Sequence, residues 1–434
     1  MGLDNDPHQS HGLGEETDGA TTEPAEATDG FEDTDGSGSS TTGIDDSSAT
    51  ASTTSDDGTT TDGDGTEGGV DCSDLWRTER SDGRLRDLVL DETAGVLHLI
   101  GNRESGEPWA MTLDACDGSV LADVDVVHDG GTNARLDSLL LHDGSLFAAG
   151  SVPLADDPRN GLLVRLDPTD LGAVYTTPLY GSPNLDELLD ITVSTSGRLW
   201  MVGTTQYDMN PGAWTVSAQT DGTACGFNWM GSGSGTNRAV GADGDQIVVA
   251  TRTTDGQLVL LRYAQDCACT CLPTWESDPI EIGAAETNIG DLVVIGGQYY
   301  VAGWANDSAL PDQIFGYAAW VSSTGALIED YRANPSGQGD GFFAAGTDGE
   351  RLFLSGAQGW SGAAGLAGTS ALLQALPVSF GPGVAAEWEA SPMGVGYIDG
   401  MGIDSAADGS IYLGGNVDGG DGIVVRCDKL GICG

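Results

Sequence analysis

The chain has 434 residues, with 67 acidic and 16 basic side chains for a formal charge of −51, and Lys429 is its only lysine. A surface this acidic repels phosphate backbones and anionic headgroups, which excludes nucleic-acid binding and membrane attachment through a basic patch. With 67 glycines and 6% aromatic residues, the composition also excludes a coiled coil or a helical solenoid.

Residues 1–70 hold 18 acidic residues, no Lys or Arg, and only Leu3, Leu13, Phe31, Ile44 and Val70 as large aliphatic or Phe side chains. Such a segment cannot bury enough apolar surface to offset the entropy of ordering, so it is predicted to be a disordered tether rich in Asp, Gly, Ser and Thr. A flexible chain of this length spans roughly 45 Å root mean square, and self-repulsion extends it. Residues 71–434 keep 49 acidic against the 16 basic residues, a net of −33. No apolar leader follows Met1, and no run of about 20 apolar residues occurs, so no transmembrane segment is expected.

Residues 74–80, DLWRTER, form a strand without a hairpin partner next to it in sequence. From residue 85 a phrase then repeats: an apolar strand, a polar turn, and a second strand ending in a small residue, followed by a loop and a third strand. The second strand is the ruler, ending at Gly101, Gly150, Gly203, Thr251, Gly303, Gly356 and Gly415, at intervals of 49, 53, 48, 52, 53 and 59 residues. This is the spacing of four-stranded β-propeller blades. Third strands begin at Trp109, Leu162, Ala213, Leu258, Tyr317, Ser370 and Ile423, and Asp- and Gly-rich turns lead into fourth strands at 120–127, 173–179, 226–230, 271–276, 326–332 and 384–389. The seventh unit has no fourth strand of its own. The strand at 74–80 is predicted to supply it, giving an all-β, seven-bladed propeller over 71–434 with no open edge.

The runs GAVYTTPLYGSPNLDELLDITVSTSGRLWMVGTT (172–205) and AWTVSAQTDGT (213–223) resemble bacterial secreted β-propeller repeats of the SBBP type, and GDQIVVATRTTDGQLVLLRYAQD (244–266) resembles the delta-60 type. The likeness covers 74–434 and implies a secreted or cell-surface propeller. A polar linker before a cysteine-bearing domain also looks like the mature part of an envelope lipoprotein, which implies a lipid anchor upstream of the given chain. The repeat families have no common activity to carry over.

Eight cysteines, Cys72, Cys116, Cys225, Cys267, Cys269, Cys271, Cys427 and Cys433, all follow the tail, and their even number and clustering suit disulfides in an oxidising compartment. A Cys72–Cys433 bond would lock the ring closure, and Cys225 lies in a hairpin able to pair with one of the CACTC trio. Metal ligation by that trio would need a fourth ligand from elsewhere. His8, His11, His98, His128 and His142 are too scattered for a metal cluster or a nucleophile and base pair. Asp418 and Asp421 flank glycines in a loop that makes them candidate calcium ligands, as does Asp243-Gly-Asp245, and no other cofactor is indicated.

Binding in a propeller is expected on the face where long loops follow the second strands. These loops carry Arg103, Arg159, Tyr207, Arg252, Trp304 and Trp360, a set able to stack on a sugar or hold an acidic group. Asp137, Asp186, Asp340 and Asp399 open inner strands, where they line the channel mouth or cap strand backbone. The resulting expectation is a non-enzymatic cell-surface or secreted propeller that binds a protein or glycan partner through its long-loop face. A quinoprotein-like enzyme or lyase with an acidic channel, and a structural part of an envelope assembly, are the alternatives.

Overall fold

In the computed structural model, the described residues are 72, 74–127, 134–154, 157–179, 185–207, 210–225, 235–265, 272–307, 314–333, 339–359, 370–391, 400–417 and 420–434. They form seven antiparallel blades around a channel, with no helix among the described residues. All seven ruler motifs are second strands, and all seven third strands stand where the sequence puts them. The inner strands are Arg84–Asp91, Arg135–His142, Leu185–Val193, Gly235–Asp243, Ala284–Ile295, Asp340–Thr347 and Gly400–Ser405, for blades 1 to 7.

Arg77–Arg80 pairs antiparallel with the third strand of blade 7, Gly422–Cys427, so the N-terminal strand closes the ring as expected. Outer strands depart more from expectation. In blade 6 the strand begins at Trp388 because a turn through Gly381-Pro382-Gly383, closed by the Val384 amide on the Gly381 carbonyl, takes up the residues before it. In blade 4 the outer strand is Trp275–Glu276 with a single further bridge from Ile280 to Leu258, and in blade 3 Ala224–Cys225 pairs while the expected 226–230 lies outside the described residues.

The core is divided rather than central. Each of seven apolar clusters lies between two neighbouring blades, as in the set joining Phe147 and Leu163 of blade 2 to Leu188, Met201 and Trp214 of blade 3. Stacked twisted sheets bury their faces in this way, and the polar links between them alternate. At the 1/2, 3/4 and 5/6 junctions an inner-strand carboxylate (Asp87, Asp190 or Asp291) accepts its own following amide and one from the next blade: Leu139, Val240 or Ala345. At the 2/3, 4/5 and 6/7 junctions an outer-strand ring, Tyr175, Trp275 or Trp388, covers a hairpin glycine of the next blade, Gly222, Gly325 or Gly431. Those glycines have φ of 85°, 80° and 77°, and a Cβ on any of them would lie within 2.9 Å of the ring.

Seven is odd, so the alternation cannot close evenly, and the 7/1 seam has both devices. Asp404 accepts the Leu90 amide, and Trp76 covers Gly118. Asn416 grips the Leu85 amide and carbonyl, as Asn102 grips those of Leu136 one junction on. Arg426, 4% exposed, donates to the carbonyls of Cys72 and Asp74 and so fastens the incoming chain. The expected Cys72–Cys433 bond is not formed. Cys72 bonds Cys116 in the first hairpin of blade 1, while Cys427 bonds Cys433, six residues on. The reason is geometric: Trp76 packs onto blade 1 and donates to the Ala115 carbonyl, which carries Cys72 across the seam rather than toward the C-terminal turn. Cys267, Cys269 and Cys271 lie outside the described residues, as does the Cys225 side chain.

Candidate functional site at the channel mouth

The ruler glycines decide what lines the channel. Gly101, Gly150, Gly203, Gly303 and Gly356 each pair with the residue before a bulge in the inner strand, where a Cβ would meet an inner-strand carbonyl at 1.8–2.1 Å. Thr251 faces the same bulge and is accommodated by its hydroxyl donating to Asn237. The residue skipped at each bulge is Arg86, Asp137, Leu189, Arg238, Gly290, Phe343 and Met401 in blades 1 to 7. A bulge re-aims its extra side chain, and the first six of these residues line the channel.

The channel cavity, about 480 Å³, is lined on blades 1 to 4 by Arg86, Asp87, Arg135, Asp137, Asp190 and Arg238, and on blades 5 to 7 by Asn288, Ile289, Asp291, Trp304, Phe343 and Ile403. It shares Arg86 and Arg135 with a recess of about 680 Å³ on the face where second strands end and inner strands begin. That recess is lined by Arg84, Arg86, Arg103, Arg135 and Arg159, a third of the fifteen arginines in a chain with one lysine. Cys72 and its partner lie with the hairpins of the opposite face.

Most of these guanidinium groups are held. Arg103 donates to Asp125 at 2.5 Å and to Asp82 at 2.8 Å, and the Asp125 bond raises its pKa further. Arg159 pairs Glu187 at 2.9 Å, and Arg252 pairs Glu286. Asp137, whose side chain is 8% exposed, is shared by Arg135 at 2.6 Å and Arg86 at 3.9 Å. Burial raises its pKa despite both cations. Neither Arg84 nor Arg238 has an ion pair or side-chain hydrogen bond among the described residues. Burial lowers the pKa of Arg238, and the Arg252 charge adds to the effect.

Three further carboxyls, Asp87, Asp190 and Asp291, face the channel and are half-buried. Burial raises all three, Asp190 to about 7 and Asp291 to about 6, with mutual repulsion adding to the Asp190 shift. Both oxygens of each accept backbone amides, so their geometry is that of staples between blades rather than of free acids or bases.

Of the residues singled out in the sequence, Arg103 and Arg159 meet in the recess, Trp304 lines the channel, and Arg252 stands beside Arg238. Asp186 and Asp340 are fully enclosed. Asp186 accepts the Thr205 side-chain hydroxyl at 2.5 Å, whereas Asp340 accepts the Gly359 amide at 3.1 Å and so caps backbone. Trp360, Asp399 and Asp418 lie outside the described residues, as does the Tyr207 side chain. Asp421 accepts the Asp82 amide, Asp243 the Tyr299 hydroxyl and Asp245 the Gln265 amide. No group of three metal-ligating side chains occurs among the described residues. Sequence reasoning missed Arg84, Arg86, Arg135 and Arg238. The signal available was their concentration: four of fifteen arginines open inner strands.

No family model matches the chain, and no curated protein does. Solved structures do resemble it. A chain in the mitotic checkpoint complex aligns with a TM-score of 0.52 at 10% identity, covering 85% of this chain and 97% of that one. BamB from Moraxella catarrhalis aligns at 0.42 and 12% identity over 80% and 86%, and a putative 6-phosphogluconolactonase from Bacteroides uniformis at 0.49 and 14% over 78% and 90%. At such identities the likeness is one of fold, and the chain is a seven-bladed β-propeller.

Proposed function

We propose that this propeller is an exported, non-enzymatic binding protein that captures an anionic partner, protein or glycan, on its long-loop face. The observation that carries the reading is the five-arginine recess on a domain whose net charge is −33. A solvated acidic surface needs no such concentration of cations, and guanidinium forks recognise carboxylates and sulfates bidentately. The wider negative surface is screened over about 8 Å at physiological salt, so it acts on anions only at short range. Two disulfides among the described residues support an oxidising compartment, and the likeness to secreted propeller repeats supports export.

The test is binding of the full chain to arrayed acidic and neutral glycans and to acidic peptides, with Arg84→Ser/Arg159→Ser as the comparison. The reading expects acidic ligands only, an affinity that falls with added salt, and about a tenfold loss in the double variant. Equal capture of neutral and acidic glycans, or an unaffected variant, contradicts it.

The enzyme alternative rests on one feature, the enclosed Asp137 carboxyl with its raised pKa. It predicts turnover of a bound ligand that Asp137→Asn abolishes while binding persists.

A further inference from the structure

The recess and the channel share two side chains, Arg86 and Arg135, and Asp137, which pairs with both, lines the channel alone. The Asp137 side chain is 8% exposed, and its Oδ1 lies 2.6 Å from the Arg135 Nε and 3.9 Å from the Arg86 Nε. Arg135 spends only its Nε on this pair, so both Nη atoms remain to donate into the recess. A second recess arginine is built alike, with Arg159 donating Nη1 to Glu187 at 2.9 Å. The two acids work against one another, since the Glu187 charge adds to the rise in the Asp137 pKa.

An oxyanion seated in the recess takes N–H bonds and charge from the same guanidinium groups that keep Asp137 ionised. A solvated carboxylate is compensated for such a loss by water, as Asp82 and Asp125, the exposed partners of Arg103, would be. Asp137 is enclosed, so it recovers by taking up a proton. The charged groups that face it besides Arg135 are Arg86 and Asp87 from blade 1, Glu187 and Asp190 from blade 3, Arg238 from blade 4 and Asp291 from blade 5. Asp87, Asp190 and Asp291 keep their backbone amides whether the recess is filled or empty, so their protons cancel between the two states. Glu187 loses the Arg159 charge as well, but at 23% exposure it is open to water where Asp137 is not.

We infer that the recess captures its anion together with a proton from solvent, which Asp137 takes up when the ligand draws Arg135 and Arg86 away from it. The inference rests on the proposed capture of an anionic partner and adds the regulation of that site. By linkage, a filled recess that makes Asp137 bind its proton more tightly is a recess that binds the anion more tightly as pH falls and releases it as pH rises. Asp137 is then a positioning residue, an internal anion that holds the two arginines until the ligand replaces it. Neutralising its carboxylate also spares the enclosed site a second negative charge beside the incoming one.

The test is isothermal titration of the full chain with sucrose octasulfate and with polygalacturonate, both of which stay ionised between about pH 5.5 and about pH 8. Runs in two buffers of different ionisation enthalpy count the protons taken up per ligand bound. Asp137→Asn keeps an acceptor and removes the charge, and Glu104→Gln removes the acid that lines the recess itself. Expected for the wild type are an affinity that rises about fivefold or more from the upper pH to the lower, and a measurable proton uptake. Asp137→Asn should bind at the upper pH about as tightly as the wild type does at the lower, with no uptake. Glu104→Gln should bind more tightly at every pH and keep the wild-type slope. If Asp137→Asn does not fold, uptake that persists in both Glu104→Gln and Glu187→Gln assigns the proton to Asp137, and uptake lost in either overturns the inference. Capture with a pH-independent affinity overturns this inference alone, as does a slope that survives in Asp137→Asn or vanishes in Glu104→Gln. Absence of binding by both probes overturns the proposed function and this inference with it.

Discussion

Replacing Asp190 with Ala tests whether channel carboxyls hold the blades together. Asp190 accepts the Ile191 amide at 2.7 Å, the Val240 amide of blade 4 at 2.7 Å and the Ser138 hydroxyl of blade 2 at 2.9 Å, so one side chain spans three blades. Removing an acceptor costs about 1–3 kcal/mol per stranded donor, and channel water can replace part of it, so the lower end applies and the total is about 3 kcal/mol. For a domain of roughly 360 residues the unfolding entropy is about 0.75 kcal/mol/K, which converts this loss to a fall in Tm of about 4 °C. The assay is calorimetry of the full chain, with Asp255→Ala as the control for charge, because Asp255 is an exposed turn residue. Asp190→Asn keeps one acceptor and should lose about half as much. Equal Tm values for Asp190→Ala and Asp255→Ala would refute the stapling role.

The pH dependence has a definite sign. Burial raises Asp87, Asp137, Asp190, Asp291 and Asp404, so between the ordinary Asp value of about 4 and the raised values of about 6 and 7 the folded chain binds more protons than the unfolded one. Stability should therefore rise as pH falls from 8 to 5, and a Tm that drops steadily on acidification would contradict it. Cys72→Ser/Cys116→Ser opens a 44-residue loop and should cost about 2–4 kcal/mol, read as a Tm lowered by about 3–5 °C. Gly150→Ala places a Cβ where the Arg135 carbonyl is 1.9 Å away, so it should destabilise by several kcal/mol and disturb the bulge that aims Asp137, checked by denaturant unfolding.

The blade count and ring closure were legible because a close backbone approach forces a glycine at the end of nearly every second strand, and this rule survives drift in the rest of the repeat. Arg103 and Arg159 were legible as well, since they stand in or beside the long loops. The channel residues were not. Which inner-strand residue is skipped at a bulge depends on pairing with the next strand, so Arg86, Asp137 and Arg238 look like ordinary strand residues in the sequence. The staples left a faint trace, an Asp before Leu or Ile in three alternate blades (Asp87, Asp190 and Asp291). The Cys72 pairing was out of reach because Trp76 and Arg426 steer the incoming chain, and both contacts are tertiary.

Arginine-directed labelling of the full chain with hydroxyphenylglyoxal, read by mass spectrometry with and without polygalacturonate, tests the central claim most directly. The account predicts protection at Arg84, Arg103 and Arg159, with Arg77, Arg332 and Arg351 labelled alike in both conditions. Protection spread evenly over all the arginines, or confined to those outside the recess and channel, would contradict it.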